Sequence, residues 1–132
     1  MTDGAPLARI LLVDDEVFIL KTLLRVLRNL FEIETASDPQ QALKKLDNDE
    51  PYQVIVSDLR MPTMDGFELL SIVREKHPDV VRIILTGNME DEDLLQSKLK
   101  HELFSMIHKP WERDELIATL KKAVKYAQEN GN

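Results

Sequence analysis

Ile10-Leu11-Leu12-Val13 runs directly into Asp14-Asp15. Four consecutive apolar residues suit a strand buried on both faces, as in a parallel sheet. Three further runs have the same character: Val54-Ile55-Val56, Val80-Val81-Arg82-Ile83-Ile84-Leu85 and Phe104-Ser105-Met106-Ile107. A weaker stretch, Phe31 to Ala36, alternates polar and apolar residues and predicts a strand at the sheet edge. Helix-period segments lie between these runs. Val17, Leu20, Leu24 and Leu27 predict one apolar stripe. Asp38-Pro39-Gln40-Gln41 supplies an N-cap, a Pro at N1 and a Gln at N3, predicting a helix to Asn48. Phe67, Leu70 and Val73 mark a third helix, Leu94, Leu95 and Leu99 a fourth, and Leu116, Leu120, Val124 and Ala127 the last. Alternating strands and helices imply parallel strands joined by right-handed crossovers. Five such units are too few for an eight-stranded barrel. An open, doubly wound α/β sheet remains.

The 132 residues are one domain's worth of chain. With 43% hydrophobic and 31% charged residues, the composition is that of a globular domain. The sequence predicts a domain over residues 8–127, a flexible N-terminus over 1–7 and a fraying end over 128–132. Seventeen Lys+Arg against 24 Asp+Glu leave a net charge of -7, which argues against direct nucleic-acid binding. The absence of Cys excludes disulfides, thiolate metal sites and a Cys nucleophile, and suits a reducing cytoplasm. No apolar run approaches a membrane span, and Met1 to Pro6 is no signal peptide.

In open α/β sheets ligands bind beyond the carboxyl ends of the strands. Asp14 and Asp15 follow the first strand there, Ser57-Asp58 end the third, Thr86-Gly87 end the fourth, and His108-Lys109-Pro110 follow the fifth. The second delivers Ser37-Asp38, which helix capping already explains. Three clustered carboxylates require a countercharge, met by a raised pKa or by a divalent cation. Hard oxygen ligands suit Mg²⁺. A Mg²⁺ site beside one ammonium and one hydroxyl is equipment for phosphoryl transfer, with a carboxylate as nucleophile. Capping roles for Asp14, Asp15 and Asp58 explain each residue singly, but not the whole set at successive strand ends.

The acidic pair Asp14-Asp15, the segment Ser57-Asp58-Leu59-Arg60-Met61-Pro62 with Met64-Asp65-Gly66, Thr86-Gly87 and Lys109-Pro110 together resemble the receiver domain of two-component response regulators. The resemblance spans roughly Ala8 to Ala127 and implies a flavodoxin-like (βα)5 three-layer sandwich with strand order 2-1-3-4-5. It implies that Asp58 accepts a phosphoryl group from a sensor histidine kinase or phosphotransfer protein. Asp15 and Asp58 would ligate Mg²⁺ together with the main-chain carbonyl of Arg60, and Asp14 through water or as a weaker ligand. Thr86 would donate its hydroxyl to a phosphoryl oxygen, Lys109 would pair with Asp58 and then the phosphoryl group, and Lys109-Pro110 would be cis. Activity would extend only to self-phosphorylation and autodephosphorylation. The output surface would be the fourth helix, fifth strand and last helix, facing a downstream effector; homodimers are common in the family. His108-Lys109-Pro110-Trp111 and Glu102-Leu103-Phe104 also resemble receivers that precede HD-GYP phosphodiesterase domains.

One departure concerns the switch. The family usually has Tyr or Phe three residues before the Lys, where this chain has Met106. Met fills the gap but defines its rotamer less sharply. Strand alternation would put Phe104 on the same face as Met106. Arg60 reaches over the site or is simply solvated, and Pro62 and Gly66 read as turn formers. His77, His101 and His108 lack ligand spacing; Glu90-Asp91-Glu92-Asp93 suit a first helical turn; Trp111 would open the last helix. Phe18, opposite the predicted stripe, is a candidate kinase contact. Three competing readings are an aspartyl-phosphate hydrolase of the haloacid dehalogenase type, a flavin carrier and an unphosphorylated scaffold. The first wants a D-x-D pattern, whereas Arg60 stands two residues after Asp58. The second wants a phosphate loop where Asp14-Asp15-Glu16 would repel phosphate.

Overall fold

The apolar runs become five parallel strands: β1 (Arg9–Val13), β2 (Glu32–Ala36), β3 (Val54–Asp58), β4 (Val81–Thr86) and β5 (Ser105–His108). The sheet order is β2-β1-β3-β4-β5, as the family resemblance implies. Among the described residues three helices lie between strands, α1 (Val17–Leu27), α2 (Pro39–Asn48) and α3 (Gly66–Lys76), and a fourth, α4 (Arg113–Asn130), follows β5. This computed structural model describes residues 7–87 and 104–130. The helix predicted from Leu94, Leu95 and Leu99, the run Glu90–Asp93, and His101 lie outside the described residues.

Period-2 alternation splits each central strand between two apolar layers. Ile10 and Leu12 face a layer formed with α1 and α4; Leu11 and Val13 face one formed with α2 and α3. β2 is the half-exposed edge strand that its alternating sequence predicts. Among the described residues no helix is long and apolar enough to cross a membrane.

The structure corrects the stripe expected on α1. Leu20, Leu23 and Leu27 are buried, whereas Val17 is 53% exposed and Leu24 is half-buried. The helix is apolar around most of its first two turns, so periodicity admits two phases, and packing on the β1–β3 layer selects one. The start of α2 forms as expected. Asp38 Oδ1 accepts from the Gln41 N–H at 2.8 Å, and Gln41 Oε1 accepts from the Ser37 N–H at 3.1 Å. Trp111 does not open the last helix. α4 begins at Arg113, with Glu112 Oε1 accepting from the Glu115 N–H at 2.8 Å.

Candidate functional site

The ladder continues slightly past the strand ends, and those extra bonds aim the site residues. The Asp14 N–H donates to the Ala36 carbonyl at 3.1 Å, holding Asp14 inward at 1% exposure. Asp14 Oδ1 then accepts from the Glu16 N–H at 2.9 Å, at the entrance to α1. Asp15 is exposed. At the end of β3, Asp58 is 6% exposed; the next residue's N–H (Leu59) donates to the Leu85 carbonyl at 3.2 Å. Thr86, buried at the end of β4, accepts through its carbonyl from the Lys109 N–H at 2.8 Å. The Lys109–Pro110 peptide is cis.

These bonds bring the ammonium onto the carboxylates. Lys109 Nζ lies 3.0 Å from Asp58 Oδ1, 3.2 Å from Asp14 Oδ2 and 3.9 Å from Glu16 Oε1. Carboxylate oxygens of Asp14, Asp15 and Asp58 lie within 4.8 Å of one another. Burial, then the charge of Asp14, pushes the Asp58 carboxyl up to about 6, against the pull of Lys109. Burial raises Asp14 as well. Burial alone would lower Lys109, but its hydrogen bond and charge interaction with Asp58, then Asp14, hold it above its ordinary value. One ammonium thus faces more negative charge than it neutralises. Three hard oxygen donors with a surplus of charge fit a divalent cation such as Mg²⁺.

Of the predicted site residues, Asp14, Asp15, Asp58, Thr86 and Lys109 share one edge of the sheet. The Arg60 side chain is exposed beyond Asp58. Met106, opposite Ile84 in the β4–β5 register, packs on the α2–α3 layer. Thr86, two residues after Ile84, shares that face by alternation. Phe104 does not join Met106. It precedes β5, packs on the other layer, and stands against Tyr126 at 5.4 Å between ring centroids. The alternation rule fails there because Phe104 lies outside the strand. Met106, His108, Trp111, Glu115 and Thr119 line a groove of about 160 Å³ beside β5. His77 Nε2 pairs with Asp47 at 2.9 Å, and His108 is exposed. Phe18 is 76% exposed.

Two features escaped the sequence reading. Gly66 is not a turn glycine but the first residue of α3, packed so closely that a Cβ would stand 2.2 Å from the Asp58 carbonyl oxygen. Its N–H donates to the Leu59 carbonyl at 2.7 Å. The signal was present in Asp65-Gly66-Phe67-Glu68, whose Asp65 and Glu68 form a capping box. The second is Glu16. At the N-cap of α1 its side chain makes no capping bond and instead lies near Lys109.

A family model described as the response regulator receiver domain matches residues 10–121. A hydrogenase transcriptional regulatory protein, HoxA of Bradyrhizobium diazoefficiens, is 41% identical over 115 residues, covering 87% of this chain and 24% of the relative. The chain thus spans about a quarter of the length of the HoxA relatives it matches. The signal receiver domain of an HD domain-containing protein from Pseudomonas fluorescens superposes with a TM-score of 0.85 at 30% identity, covering 93% of this chain and 98% of that one. TrrA from Thermotoga maritima, solved in complex with Mg²⁺-BeF, superposes with a TM-score of 0.77 at 32% identity, covering 88% and 98%.

Proposed function

Because the chain belongs to the response regulator receiver family, we propose that it is a phosphorylation-activated switch that takes a phosphoryl group on Asp58 from a sensor histidine kinase or phosphotransfer protein. The observation that carries this reading is Lys109 Nζ, 3.0 Å from Asp58 and 3.2 Å from Asp14 within a cluster of three carboxylates. In the reaction an Asp58 oxygen attacks phosphorus, the bond from phosphorus to the donor's imidazole nitrogen breaks, and that nitrogen keeps the electron pair. Lys109, already at the nucleophile, moves its contact onto a phosphoryl oxygen as charge builds there. Thr86 donates its hydroxyl to another. Asp15, Asp58 and the Arg60 carbonyl would hold Mg²⁺, with Asp14 contributing directly or through water. Bound there, Mg²⁺ neutralises carboxylate and phosphoryl charge. Water later hydrolyses the acyl phosphate, so the chain's chemistry is self-phosphorylation and autodephosphorylation.

The output reaches a downstream effector through Thr86 and Met106, which share one face of the sheet, and through the groove beside β5. Phe18, exposed at the start of α1, is a contact for the kinase. The acidic, cysteine-free composition suits a cytoplasmic site of action. Incubation with Mg²⁺ and acetyl phosphate, read by intact mass, tests the reading. One phosphoryl adduct is expected, absent without Mg²⁺ and absent in Asp58→Asn. No adduct on the wild type would favour a scaffold role, and continuous release of phosphate from an ester would favour a hydrolase.

A further inference from the structure

Lys109 Nζ is shared among three carboxylates that lie at different depths. It is hydrogen-bonded to the buried Asp58 and Asp14, at 3.0 and 3.2 Å. Glu16 Oε1 stands 3.9 Å away, beyond hydrogen-bond reach, and its side chain is 64% exposed. The ammonium thus has two partners inside the pocket and one at its mouth.

The backbone of Glu16 is fixed. Its N–H donates to Asp14 Oδ1 at 2.9 Å, and its carbonyl accepts from the N–H groups of Ile19 and Leu20 at 3.0 and 3.3 Å. The side chain makes no capping bond to α1, so the helix does not engage the carboxylate that faces Lys109. The Lys109 stem is less constrained. Beside it lies Gly87, where a Cβ would stand 3.5 Å from Lys109 Cβ and 3.9 Å from Cδ. That is ordinary packing distance, left empty by the glycine, so the place of the ammonium depends on its ionic partners.

Those partners are contested. The carboxylates of Asp14, Asp15 and Asp58 fit a divalent cation, and Asp14 and Asp58 are the residues that Lys109 contacts. With a cation on these oxygens, like-charge repulsion drives Lys109 away from them. Lys109 still has to remain close enough to reach a phosphoryl oxygen on Asp58. Glu16 lies outside the three-carboxylate cluster, and among the described residues it is the further carboxylate within 3.9 Å of the ammonium.

Resting on the receiver reading above, we infer that Glu16 is a positioning residue for Lys109. It takes over the ammonium when a divalent cation occupies the carboxylate cluster, and so makes metal binding easier. Without the Glu16 charge the displaced ammonium swings into water on its flexible stem, and the broken contacts are not replaced.

The test measures the Mg²⁺ affinity of the full chain from the backbone amide signals of Asp15 and Asp58 in NMR titrations. Wild type, Glu16→Gln, Lys109→Met and the double variant form a cycle. Glu16→Gln should weaken Mg²⁺ binding about threefold, the scale of one solvent-exposed ion pair. In the Lys109→Met background the same change should have almost no effect. At saturating Mg²⁺ the side-chain carbon signals of Lys109 should sharpen toward those of a solvated lysine in Glu16→Gln but not in the wild type. That comparison decides the case even where Lys109→Met does not fold. Unchanged affinity in Glu16→Gln overturns the inference. So does an equal loss in both backgrounds, which would make Glu16 a through-space charge only, or a Lys109 side chain equally mobile in both proteins. Acetyl phosphate labelling of the wild type runs alongside. Its failure would overturn the receiver reading itself, whereas labelling without coupling between Glu16 and Lys109 overturns only the role given to Glu16.

Discussion

The two ends of the sheet each hold one sheltered cation among carboxylates, and they use it differently. At the amino end, Arg9 forms an ion pair with Glu32, stands 4.0 Å from Asp49 and lies over the Tyr52 ring at 4.5 Å. Its partners remain wet: the Glu32 and Asp49 side chains are 48% and 34% exposed. The Tyr52 hydroxyl donates to Asp49 Oδ2. At the carboxyl end, Lys109 serves Asp14 and Asp58, whose side chains are 1% and 9% exposed. The amino end ties β1 to β2 and to the approach to β3. The carboxyl end is short of positive charge, and Asp58 is pushed up to about 6. A cluster whose carboxylates stay solvated holds structure; one whose carboxylates are buried beside a single ammonium fits a further cation.

The largest expected effect comes from the tightest contact. Gly66→Ala puts a methyl group into the Asp58 carbonyl and should cost about 3 kcal/mol in urea denaturation, with labelling of Asp58 lost. A loss well below that would mean that the α3 N-terminus yields and does not define the pocket. Next, removing a carboxylate should have opposite signs at the two ends. Asp58→Asn without Mg²⁺ should stabilise the fold by about 2 kcal/mol at pH 7, by relieving a buried charge. Asp49→Ala should destabilise by about 1 kcal/mol, through the Tyr52 hydrogen bond. Equal signs would break the comparison.

The stabilisation in Asp58→Asn should also depend on pH. The native Asp58 carboxyl holds its proton to about 6, whereas an unfolded one loses it near about 4. Between those values the native state binds more protons, so the wild type loses stability as pH rises. The advantage of Asp58→Asn should be small below about pH 4, grow through the interval and level off above about 6. Paired urea titrations across that range measure it, and a pH-independent advantage would remove charge as its cause. The smallest effect belongs to the solvated amino end. Arg9→Lys keeps the charge but loses the planar stack on Tyr52, and should cost about 0.5–1 kcal/mol by thermal denaturation.

Much of the fold and the candidate site was legible because the inner strands β1, β3 and β4 are short, mainly apolar and end at polar residues. A strand buried on both faces leaves little choice of residue type, so Ile10–Val13 and Val54–Val56 read as strands without knowledge of their neighbours. Asp14, Asp58, Thr86 and Lys109 stand out because charged and polar groups at buried strand ends need a reason. What escaped depends on three-dimensional phase and approach. α1 is apolar on too many sides for its sequence to say which residues, Val17 and Leu24 or Leu23, meet the sheet. Phe104 looks like part of β5 but sits before it and turns to Tyr126. Gly66 resembles any loop glycine until α3 is set against Asp58. The place of Glu16 beside Lys109 follows from a bond between the Glu16 N–H and Asp14, which spacing does not announce.

The site's groups arrive on four strands: Asp14 after β1, Asp58 on β3, Thr86 on β4 and Lys109 after β5. No hairpin or single βα unit contains more than part of the set. The outermost contributor, β5, meets the sheet through β4 alone. A partly unfolded form that detaches β5 therefore keeps most of its secondary structure but withdraws Lys109 from Asp58. Reactivity toward acetyl phosphate would then act as a conformational assay, counting only molecules in which the entire sheet has closed.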